Sequence, residues 1–140
     1  MENEQTRFGP LKSVGSVLAG FAFVFVLSLG TDVLLHATGV LPSWFQPMSS
    51  GLWTFVLGYR IVYGIGGSYL TARIAPNRPM AHAMAGGVAG LILSIAGVIA
   101  TWSKGPEFGP KWYPILLAAT VIPTAWLGAK LRLAQIRSQS

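Results

Sequence analysis

Two charged residues sit inside otherwise apolar, membrane-length stretches of this chain: Asp32 near the end of the first and Arg60 in the second. A charge at the centre of a spanning helix costs about 2.5–3.5 kcal/mol. Such residues are therefore paired or functional. An acid and a base on adjacent segments can pair with each other. The chemistry open to them is an internal ion pair that fixes which helices touch, or an anion-binding or proton-linked site. Arg60, Tyr63, Gly67 and Thr71 recur at spacings of three or four, which places them on one helix face, with Tyr59 beside it. The hydroxyls of Tyr59 and Tyr63 can bond the guanidinium, line a small wet cavity, or serve only as the polar tips of packing rings.

Other chemistry finds less support. His36 follows Asp32 by four residues and shares its face, but two ligands are too few for a closed metal site. His36 and His82 fall at opposite membrane faces, roughly 30 Å apart, and cannot ligate one haem within one chain. With no cysteine there is no disulfide, thiolate ligand or thiol nucleophile. H-E-x-x-H, G-x-S-x-G, Walker and zinc patterns are missing, and the Gly64, Gly66, Gly67 cluster lies inside an apolar stretch. No metal, cofactor or catalytic residue is assigned, and no nucleophile–base pair argues for an enzyme.

The elements that hold these residues are apolar blocks. Only 10% of the residues are charged, against about 25% in a soluble domain. Four blocks are near the roughly 20 residues that span hydrocarbon: about 14–35, 52–74, 81–102 and 112–129. The expected fold is all-α: an integral membrane bundle of four transmembrane helices with short loops, one domain over residues 1–140. The net charge of +6 flanks the blocks rather than forming a solvated patch, so the partner is a lipid bilayer and not nucleic acid. The first block is too long for a signal peptide, starts after Glu2 and Glu4, and lacks an A-x-A site, so it is expected to remain attached.

Basic residues set the orientation. Arg7, Lys12, Arg73, Arg78, Lys130, Arg132 and Arg137 fall on one side, and Lys104 and Lys111 on the other. The positive-inside rule places both termini in the cytoplasm. Residues 36–51 form an outer loop with Trp44 and Phe45 at the interface, 75–80 a tight inner turn, and 103–111 a second outer loop whose Gly-Pro pairs stop any helix. Pro123 is expected to kink the fourth helix. Gly87, Gly90, Ser94, Gly97 and Thr101 make a small-residue stripe on the third, and Gly86 and Gly90 form a G-x-x-x-G pair. Such stripes let backbones approach in lipid, so the stripe is expected to be buried against a neighbouring helix or a second protomer. A faint echo relates LAGF at 18–21 to VAGL at 88–91, as a parallel repeat would.

At DVLLHATGVLPSW, APNRPMAH and GPKWYP the chain resembles small bacterial four-helix inner-membrane proteins over nearly its whole length. The resemblance implies a bacterial inner-membrane location and brings no activity with it. Small multidrug transporters share the size and four spans, but their acidic residue lies in the middle of the first helix, whereas Asp32 is near the outer end. Two functions follow from the residues. The favoured one is a structural or accessory subunit of a homodimer or larger membrane complex, with Asp32–Arg60 as an internal ion pair. The alternative is a transporter or channel for a small solute or ion, with its site at Arg60 and Asp32.

Overall fold

The computed structural model describes the backbone from residue 4 to 140 and side chains from Gly9 onward. Glu2 lies outside the described residues, as do the side chains of Glu4 and Arg7. Four long α-helices follow one another: α1 (Glu4–Ala37), α2 (Ser50–Ile74), α3 (Pro79–Thr101) and α4 (Trp112–Ser138). Among the described residues there are no strands.

Three stretches are long and apolar enough to cross a membrane: Gly9–Ala37, Pro79–Thr101 and Pro106–Ser138. The second of the four expected spans falls short on apolarity rather than length. Arg60, three tyrosines and a run of glycines and serines dilute α2. The helices also overrun the expected boundaries. α1 begins upstream of Pro10, and α4 continues through Pro123 and past Lys130. The Gly-Pro loop is not free of helix either: Pro106–Phe108 form one 3-10 turn, since proline at a first helical position sacrifices only an N–H that would be unpaired anyway.

Local chemistry sets the breaks. Ser49 Oγ accepts from the Leu52 N–H at 3.3 Å and starts α2. Pro76 follows the end of α2, and Pro79 opens α3 at its first turn. Arg78 between them takes the left-handed conformation, at φ 41°. The longer loop folds back onto the bundle. The Leu41 N–H reaches the Leu35 carbonyl at 3.0 Å, and Leu41 is buried.

α1 packs on α2, α2 on α4, and α4 on α3; α3 touches α1 more lightly. The end of the bundle that carries both termini is closed by small residues. Ala72, Ala83 and Ala129 form a core there with Met80 against it. Gly128 lets α4 ride on α2: a Cβ there would stand 2.5 Å from the Ile65 carbonyl oxygen. At the opposite end Leu41, Val56, Leu57 and Tyr113 form a second core with Trp53 and Trp112 around them. Outward faces carry large apolar side chains such as Phe25, Val62, Ile92 and Ile99, an arrangement that suits lipid.

Candidate functional site

Asp32 stands one turn before the end of α1, and Arg60 near the middle of α2. Arg60 Nη2 donates to Asp32 Oδ2 at 2.7 Å. The Tyr59 hydroxyl donates to the other carboxylate oxygen, Oδ1. One turn further along α2, the Tyr63 hydroxyl pairs with the hydroxyl of Thr31 at 2.7 Å. The partners step in opposite directions along the two helices, as antiparallel neighbours require. All four candidate polar residues are therefore brought together, with Thr31 as a fifth. Tyr59 is held between Phe55 and Tyr63, with ring centroids 5.6 and 5.8 Å away.

The carboxylate is thus engaged at both oxygens. Each Asp32 oxygen accepts one bond, and the guanidinium balances its charge. Asp32 is an anchored acceptor and not a base open to substrate. The remaining bonding capacity is of the opposite kind. Arg60 Nε is buried with no hydrogen-bond partner among the described residues, and so is Tyr113 Oη. Tyr113 comes from the first turn of α4 and stacks on Trp53, centroids 4.6 Å apart. Trp53 Nε1 is a third unpartnered buried donor. Trp53 and Arg60 are seven residues apart, hence on nearly the same face of α2.

Arg60 and Tyr113 both line a cavity of about 570 Å³ between the four helices, which opens to the outside where Phe25, Leu93 and Gly97 are exposed. Its walls are largely apolar, from Phe21 and Val24 of α1, Leu93 of α3 and Leu117 of α4, with Ser28, Ser94 and Thr120 set among them. The two halves of the α3 stripe behave differently here. Gly87 and Gly90 meet α4: a Cβ at Gly87 would come 2.7 Å from the Ala125 Cβ, and one at Gly90 3.2 Å from Val121. A Cβ at Gly97 would meet nothing within 4 Å. All five stripe residues line the cavity, Gly87 and Gly90 where it meets α4. Beyond these two, small residues leave room instead of closing a helix contact, so burial of the whole stripe against a protein neighbour does not hold within the chain.

The histidines serve the two ends. His36 Nδ1–H donates to the Pro42 carbonyl at 2.5 Å, and its ring stacks on Trp44 at 3.8 Å, which ties the outer loop to α1. His82 Nδ1 lies 3.1 Å from the Arg78 carbonyl, and its Nε2 lies 2.8 Å from Ser13 Oγ. With Nδ1–H donating to the carbonyl, Nε2 accepts from the serine, and α3 is pinned to α1. At the same end Gln135 Oε1 accepts from Tyr69 at 2.5 Å and from Arg132 at 2.7 Å, joining α2 to α4.

Sequence reasoning missed Tyr113, Thr31 and Ser13. Tyr113 had a signal: it is a hydroxyl in the first turn of an otherwise apolar block, and short loops bring that turn level with the start of α2. Ser13 and Thr31 had none, because a single hydroxyl in an apolar helix is common. No family model matches the chain, and no curated protein or solved structure matches it either.

Proposed function

We propose that the protein is a four-span bacterial inner-membrane protein, with both termini in the cytoplasm, that holds a small solute inside its bundle in the manner of a carrier. The solute chamber is the cavity between the four helices, and the Asp32–Arg60 pair fixes its polar end. One observation carries the reading: the cavity of about 570 Å³ reaches Arg60 and is widened by small residues on α3. Ligand pockets generally fall between about 300 and 1,000 Å³. α2 spans with the others because its charge is neutralised inside the bundle and its polar atoms face protein, which lifts the usual penalty for such a segment.

A second reading has an observation of its own. α1 and α3 touch lightly, and an accessory subunit could receive a helix of another chain in the space between them. The two readings differ in what fills the chamber. A photoreactive diazirine analogue of leucine placed at Leu93, whose side chain already lines the cavity, adds little bulk and would report its neighbour in native membranes. Intact-mass analysis should find an adduct of small-molecule mass. A polypeptide adduct would support the accessory-subunit reading, and reaction with lipid alone at the rate of the same probe at Ile99 would remove the chamber.

A further inference from the structure

The polar end of the chamber donates hydrogen bonds and carries no net charge, and we infer that it reads the neutral carbonyl head of a lipophilic ketone, quinone or ester whose apolar body fills the chamber. The inference rests on the chamber reading above and names the ligand class that would occupy it.

Charge is the first argument. Arg60 and Asp32 are paired at 2.7 Å, so the site is already neutral. An anionic head would add an uncompensated negative charge beside Asp32 in a low-dielectric interior, which is costly. A cationic head finds no unbalanced carboxylate, because Arg60 already neutralises Asp32.

Bonding capacity is the second. Arg60 Nε–H can only donate. Tyr113 is 6% exposed, lines the cavity, and its hydroxyl has no partner among the described residues. A buried donor left unmade costs more than a made bond gains, so these groups call for an acceptor. A carbonyl oxygen accepts from such a donor without bringing charge.

Shape is the third. Phe21, Val24 and Leu117 give the cavity apolar walls, and the exposed Leu93 and Gly97 stand at its open mouth. An apolar body gains by leaving water or by exchanging loosely packed lipid for fitted contacts. The head then selects among apolar molecules, since a site built to pair polar groups rejects analogues that cannot pair them.

The test compares two probes with the same alkyl chain, a decyl-substituted para-benzoquinone and decanoate, on the full chain in lipid nanodiscs. Protein melting is followed against probe concentration, which gives an apparent affinity for each. The quinone should bind at least roughly tenfold more tightly than decanoate. Tyr113→Phe keeps the ring on Trp53 and removes an unpaired buried hydroxyl, so it should melt no lower than the parent without probe, yet lose roughly tenfold in quinone affinity. Gly97→Leu, which fills the chamber, should abolish the shift by either probe. Tighter binding of decanoate would overturn the inference in favour of an anion site. Full quinone affinity in Tyr113→Phe, with loss in Gly97→Leu, would overturn the head assignment and leave the chamber standing. No shift by either probe would overturn both, and bound water would then be what satisfies Tyr113 and Arg60.

Discussion

Gly20 of α1 and Gly67 of α2 face each other with no room for a side chain on either. A Cβ on Gly20 would stand 2.7 Å from the Gly67 carbonyl oxygen, and one on Gly67 would stand 2.8 Å from that of Gly20. This contact fixes the separation of α1 and α2 below the polar site, and with it the 2.7 Å pairing of Asp32 with Arg60.

Gly67→Ala should therefore force the helices apart and destabilise the bundle by about 1–3 kcal/mol, the usual cost of overpacking. Gly97→Ala, which meets nothing within 4 Å, should be neutral or slightly stabilising through better helix propensity. Detergent melting of the two variants checks this. Equal losses would mean that the α1–α2 contact is not what holds the pair.

The ion pair should show coupling with an unequal cost. Breaking a buried pair typically costs about 3–5 kcal/mol. Asp32 is 15% exposed and Arg60 31%, so the low end of that range is expected. Asp32→Asn strands a guanidinium that cannot lose its proton, whereas Arg60→Gln leaves a carboxylate that keeps its bond from Tyr59. Asp32→Asn should be the more damaging change, and the double variant should recover part of the loss. A double-mutant cycle on melting measures the coupling, expected above about 1 kcal/mol. Additive losses would show that the two residues act independently.

Orientation can be read chemically because the chain has no cysteine of its own. Ser50 and Ser138 are both exposed and lie at opposite ends of the bundle. A cysteine at Ser50 should react with an impermeant maleimide in intact cells, and one at Ser138 only after permeabilisation. Labelling at Ser138 in intact cells would invert the proposed topology.

Much of this architecture was legible in the chain. Long apolar runs broken by Gly, Pro and Ser clusters mark four helices, because few other arrangements satisfy so much backbone in so little polar sequence. Asp32 and Arg60 stood out because charge is rare in such runs. The weak apolarity of α2 was visible in the same residues, Arg60 and the tyrosines, which served as site markers and not as a warning about the segment. Helix ends were read from the apolar limit, yet α4 continues to Ser138 because its last turns are tied by Tyr69, Gln135 and Arg132. Which residues of the α3 stripe also meet α4 was not readable. Gly87 and Gly97 look alike in sequence, and only the course of α4 distinguishes them.

The bundle is proposed to hold a small molecule in the space beside Gly97, and native mass spectrometry of the protein released from its own membranes puts that proposal to the test. The parent should retain a bound species of small-molecule mass, and Gly97→Leu, prepared identically, should lose it. A bare chain in both, or the same bound mass in both, would contradict the claim.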